Sequence, residues 1–199
     1  MGAKEIYTLL RKEGMSHAGA CGMMGNMEAE SGLKSNIVQR GMQKKNDADY
    51  TEAFNANPET YIYDNVGYGL CQWTFWSRKK NLRQFAQNWG VSVGAEDMQV
   101  CFAVYELKTD FPALWQFLCQ TSDVGTASDR VCKEFERPAV NNLEVRRNFA
   151  AKYNTQFAGT QAQPTQAAQH PTAEVNSTLD LKAIADALEV IVKIIRGST

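Results

Sequence analysis

The chain has 199 residues, with 21 basic and 22 acidic side chains and a formal charge of −1, so no global field gathers nucleic acid or anionic lipid around it. Its length suits one ordinary domain with an appendage; no apolar run is long enough to span a bilayer, and the N-terminus lacks the charged-then-apolar pattern of a cleaved signal. Five cysteines (21, 71, 101, 119 and 132) show no CxxC spacing and are odd in number; they read as reduced, buried thiols, and with His17 the one histidine outside a linker-like segment, neither a zinc site nor any other cofactor is expected.

In chain order, residues 3–13 predict a helix with Ile6, Leu9 and Leu10 inward, stopped by Gly14. Ser16 then caps a second helix running to about Ser31 and closed by Gly32. From Lys34 to about Val66 the chain is polar and irregular, which predicts a loop-dominated lobe with room for a short hairpin. "GYGLCQWTFW" follows as an aromatic turn. Helical spacing returns with Leu82, Phe85, Ala86 and Trp89, and again with Met98, Cys101, Phe102 and Tyr105. Pro112 suits the first turn of a short helix, Val124, Ala127, Val131 and Phe135 form another face, and Val145, Phe149 and Tyr153 form the last.

The body is therefore expected to be a mainly α domain over residues 1–157. Residues 158–178 are rich in Gln, Ala, Thr and Pro and poor in large apolar side chains, the composition of a flexible linker. Residues 179–196 place Leu181, Ile184, Leu188, Ile191 and Ile195 on one stripe. Such an amphipathic helix calls for oligomerisation or docking back onto its own domain.

Chemistry enters with "GNMEAESG", residues 25–32. On the second helix Ala20, Met23 and Met27 share a face that Glu30 continues, whereas Glu28 is turned about 200° away, toward solvent. Glu30 thus ends a buried stripe at a helix C-terminus, where desolvation and the helix dipole both disfavour charge, the setting of a general acid. Downstream, Tyr61, Tyr63, Tyr68, Trp73, Phe75 and Trp76 crowd one segment with Gly67, Gly69 and Gln72. That cluster is either plain core or a cleft wall where rings stack on sugars and an amide bonds their substituents.

Glu30-Ser31-Gly32, followed some forty residues on by Gly69-Leu70-Cys71-Gln72-Trp73, resembles the paired signature of lysozyme-like muramidases and lytic transglycosylases. With "FERP" at Phe135 to Pro138, residues 3–155 resemble the phage tail lysozyme family. The resemblance implies a lysozyme-like α fold that cleaves the β-1,4 bond between N-acetylmuramic acid and N-acetylglucosamine, with Glu30 as general acid. It sets the Tyr68–Trp73 turn across the cleft, making Tyr63, Tyr68, Gln72 and Trp73 substrate contacts. Glu136 and Arg137 are read as a structural ion pair or cleft support. A second carboxylate is commonly needed; Asp64, just ahead of the aromatic turn, is the first choice, with Asp47, Asp49 and Glu52 as alternatives. Should none approach Glu30, the transglycosylase route, with one Glu as acid and base, takes its place.

The expected protein is an endolysin, made in the host cytoplasm without a signal peptide and acting on the cell wall after release at lysis, or from the virion. Its partner is the peptidoglycan glycan strand, with no nucleic acid, no membrane insertion, and self-association through the C-terminal helix. Competing readings are a non-catalytic wall-binding virion module and a Cys–His hydrolase built on His17.

Overall fold

The computed structural model describes residues 2–42 and 45–160. The C-terminal amphipathic helix, and all of the linker beyond residue 160, lie outside the described residues.

One helix organises the rest. Ser16 accepts the Gly19 N–H at 2.9 Å and opens α2, His17–Ser31, which Gly32 closes in the left-handed conformation. From Ala18 to Met27 every side of α2 is buried, as befits a helix apolar all round. Its "GACGMMGN" stretch explains how neighbours approach so closely. A methyl placed at Gly19 would lie 2.0 Å from the Leu118 carbonyl oxygen, one at Gly22 2.6 Å from Ala127 Cβ, and one at Gly25 2.6 Å from the Arg146 carbonyl oxygen. Three glycines in steps of three thus seat α7 (Pro112–Gln120), α8 (Val124–Arg130) and α9 (Leu143–Gln156) against the central helix.

The flanks follow the predicted periodicity. Helix α1, Ala3–Lys12, buries Ile6, Tyr7 and Leu10. Helix α5, Trp76–Trp89, ends at a left-handed Gly90, and α6, Glu96–Thr109, buries Met98, Cys101 and Phe102 while Tyr105 stays exposed. The fold is mainly α, as expected.

Two expectations, for α9 and for Glu28, are corrected. The Lys34–Val66 lobe is loop-rich, as expected, and also holds two helices: Asn46 caps α3, Asp47–Ala56, through the Asp49 N–H at 2.9 Å, and Pro58 starts the short α4, Pro58–Ile62. Isolated antiparallel bridges join Val38 of this lobe to Tyr68, and Tyr68 to Trp73, in the aromatic turn that follows. Helix α9 is rotated from the predicted Val145–Phe149–Tyr153 face. Val145 is exposed and the buried row is Arg146, Ala150 and Tyr153, because a buried arginine finds partners there that no apolar count anticipates. Glu28, expected in solvent, is partly buried and accepts the Tyr153 hydroxyl at 2.7 Å.

Candidate active site

Where α2 runs out, its last carboxylate meets a cavity of about 1210 Å³. One wall is the α2 end, Glu30 to Gly32; another is the Ile37–Arg40 segment. Cys71, Gln72, Thr74 and Phe75 form a third with Arg78 behind them, and Phe135 to Ala139 close the far side.

Glu30 is fixed by a residue 116 positions away. Arg146 donates from Nη2 to Glu30 Oε1 at 2.5 Å, from Nη1 to Asn26 Oδ1 at 3.0 Å, and from Nε to the Asn141 carbonyl at 3.2 Å. Asn26 is held in turn through its amide, which donates to the Gly22 and Ser128 carbonyls at 2.9 Å each. A buried guanidinium with its donors spread over three acceptors is rigid, and so is the carboxylate it holds.

The aromatic turn is built as a scaffold. Gly69 adopts a positive φ of 77° and packs so tightly on Gln99 that a methyl there would sit 2.5 Å from its Oε1. Gln99 accepts the Leu70 N–H at 2.9 Å and donates to the Ser35 and Val93 carbonyls at 2.7 Å each. Ser31, next to Glu30, donates to the Leu70 carbonyl at 3.0 Å and so ties the α2 end to the turn.

Of the residues expected to touch substrate, Gln72 lines the cavity, at a positive φ of 43°, its amide donating to the Gly69 carbonyl at 3.0 Å. Tyr68 and Trp73 do not line it; both are core. The Tyr68 hydroxyl pairs with Thr51 Oγ1 at 2.7 Å, and Trp73 donates its indole N–H to Glu106 Oε2 at 2.7 Å. Tyr63 is exposed and stacks on Trp76 with centroids 5.8 Å apart, beside the cavity-lining Phe75.

Asp64 is not brought to Glu30's wall. It accepts Lys79 Nζ at 2.5 Å, the Tyr50 hydroxyl at 2.6 Å and the Val66 N–H at 3.0 Å. Lys79 is wholly buried and also donates to the Tyr50 hydroxyl and the Val66 carbonyl. Burial lowers the Lys79 ammonium's pKa, and Asp64 opposes that shift. An aspartate so fully occupied is a structural counter-ion. Asp47, one of the alternatives, accepts the Val38 N–H at 3.0 Å and is likewise occupied.

The Glu136–Arg137 ion pair does not form. Arg137, at a φ of 50°, donates from Nε to the Glu134 carbonyl at 2.7 Å and covers the Phe111 ring. Glu136 turns into the cavity instead. Its Oε1 is sealed from solvent without a hydrogen-bond partner among the described residues. Burial pushes this carboxyl up to about 8, Glu30's charge adds to the shift, and Arg78 and Arg146 oppose it. Arg78 is committed elsewhere, gripping Glu106 from Nε and Nη2 at 2.7 and 2.8 Å and lying 4.5 Å over the Phe135 ring. Beside them, burial and then Glu136 raise the Cys71 thiol, the opposite of an activated nucleophile.

Arg146 is the residue the sequence does not announce, carrying no signal beyond its place in a helical segment. Glu136, expected through "FERP" as ion-pair partner or cleft support, lines the cavity without pairing to Arg137.

The phage tail lysozyme family model matches residues 2–157. The chain belongs to that family. Membership makes this a lysozyme-like enzyme acting on the peptidoglycan of the bacterial cell wall. Among the described residues no helix is long and apolar enough to cross a membrane.

Proposed function

We propose that the protein cleaves the β-1,4 bond between N-acetylmuramic acid and N-acetylglucosamine, with Glu30 doing acid–base work on that bond. One observation carries the reading: of the two motif glutamates, Glu30 alone lines the cavity, held there by Arg146, while Glu28 is taken by Tyr153. A rigid carboxyl in a cavity of this size suits a polymer strand. Gln72 serves as a substrate contact from the opposite wall. The exposed Tyr63–Trp76 stack, continued by Phe75, offers flat faces on which neighbouring sugars pack.

The biological setting that fits is phage-borne wall degradation, as an endolysin or a virion enzyme, with the glycan strand as partner. Self-association through residues 179–196 would add multivalent attachment.

The test is mass spectrometry of soluble fragments from purified peptidoglycan, with wild type and Glu30→Gln side by side. Reducing muramic acid ends that fall by ~10²-fold or more in the variant are expected. Anhydro-muramic ends would assign the transglycosylase route instead. Undiminished sugar cleavage by Glu30→Gln would refute the reading.

A further inference from the structure

The charges that line the cavity do not balance. Lys34, Arg40, Arg78 and Arg137 stand against two acidic residues, Glu30 and Glu136, in a chain whose formal charge is −1. Pairing widens the gap. Arg78 is spent on Glu106, and Glu30 is matched by Arg146 from outside the lining. Burial, and then Glu30's charge, hold Glu136 up to about 8, so at neutral pH it cancels little. Three cations are left over. Lys34 and Arg40 are exposed and, among the described residues, their side chains make no ion pair or hydrogen bond. Arg137, exposed too, gives Nε to the Glu134 carbonyl, and no carboxylate pairs with it among the described residues.

A cleft with unmatched charge of one sign gathers ligands of the other. The sugars of peptidoglycan are neutral once the lactyl carboxyl of muramic acid is taken up in its link to the stem peptide, so the strand's negative charge lies on the free carboxylates of that stem. We propose that Lys34, Arg40 and Arg137 bind these stem carboxylates, making the enzyme selective for strands with ionised stems over strands whose stems are amidated. The proposal rests on the reading of the cavity as the place where the glycan is cut, and adds which form of the glycan it takes.

Position favours the stem over other wall anions. The stem hangs from the same ring whose anomeric carbon is released, so it accompanies the bond that Glu30 reaches. Phosphate-bearing polymers are grafted to occasional units and would miss most cuts. The cations are also spread around the cavity rather than bunched. Lys34 follows the α2 end, set there by two left-handed residues, Gly32 and Leu33 at φ of 61° and 58°. Arg40 lies on the second wall, and Arg137, itself at a φ of 50°, on the far side. Left-handed backbone at residues other than glycine is costly and gathers at ligand clamps. Two of the three cations are arginines, whose planar fork matches a carboxylate.

The experiment compares kcat/KM of the intact chain on two soluble substrates from one preparation freed of phosphate polymers: strands with free stem carboxylates, and the same strands after those carboxyls are converted to amides. Wild type should favour the ionised strands by ~10-fold at low salt, and the preference should shrink as salt screens the charges. Lys34→Gln/Arg40→Gln, at two exposed positions, should melt like wild type and cut the preference by about threefold. Adding Arg137→Gln should bring it close to parity, whereas Lys34→Arg/Arg40→Lys, which keeps both charges, should keep it. A wild type that cuts both substrates equally, or an unaltered preference in the double Gln variant, would overturn the proposal, and that double variant decides if the triple does not fold. Amidated strands that retain their phosphate polymers should be cut like those without; a restored rate on them would move the cations to phosphate and overturn it as well. Failure of the underlying reading looks different, because Glu30→Gln would then cut both substrates as well as wild type.

Discussion

Two stretches of this molecule make an instructive contrast. Residues 61–76 are dense in aromatic side chains and carry half of the family motif, yet Tyr68 and Trp73 are core, and Asp64 is locked to Lys79. Residues 131–146 look unremarkable beside them, yet they supply Glu136 to the cavity and Arg146 to Glu30. The first stretch is conspicuous because a tight turn needs glycines, and its rings and hydroxyls need packing partners. The second acts by delivering single charged groups into a place built by other segments. Density of chemistry along a chain and delivery of chemistry to a site are separate properties.

The contrast is most easily broken at Gly25, which lets α9 close on α2. A methyl there meets the Arg146 carbonyl at 2.6 Å and the Ala150 nitrogen at 2.7 Å, both backbone atoms that cannot step aside. Gly25→Ala should destabilise by about 3 kcal/mol in a denaturant titration, and should reduce cell-wall cleavage per folded molecule as well, because the Arg146–Glu30 pair is pushed apart. Stability equal to wild type would mean that α9 shifts freely and that its seating does not set the site.

Asp64 sharpens the contrast from the other side. Asp64→Asn removes the counter-charge of the wholly buried Lys79, which should cost about 2–3 kcal/mol of stability. Cleavage per folded molecule, measured at low temperature, should stay within about threefold of wild type, since a residue outside the site contributes nothing to the barrier. A loss of ~10²-fold in rate with the melt unchanged would restore Asp64 as the second carboxylate.

These cases also show what the sequence made legible. The α2 boundaries followed from Ser16 and Gly32, whose capping roles are local, and the apolar spacing of α5 and α6 gave their inward faces. Glu30's place at the end of the α2 stripe could be read from helical phase, and its tie to a cleft from the paired motif downstream. Helices α3 and α4 escaped notice because their polar sequences bury little apart from Tyr50, Phe54 and Ile62, although Asn46 and Pro58 stood at their starts. The phase of α9 was misread for a deeper reason: periodicity counts apolar residues, and the residue that sets this phase is an arginine paired with Glu30 across 116 positions. For Glu136 the neighbour in sequence is not the neighbour in space, because Arg137 turns away to the Glu134 carbonyl and the Phe111 ring.

The gentlest probe leaves activity aside and reads stability against pH. Glu136 titrates at about 8 in the folded chain against an ordinary 4.5, so below pH 4.5 it is protonated in both states and its contribution is fully present. As pH rises from there toward 8 the unfolded chain gives up this proton while the folded chain keeps it, and stability declines across that window. Above about 8 both forms are ionised and the decline stops. Glu136→Gln has no proton to lose, so its melting temperature should stay flat across that window, matching wild type near pH 5 and exceeding it near pH 8.5. Parallel curves across the whole range would show that Glu136 is already ionised at neutral pH.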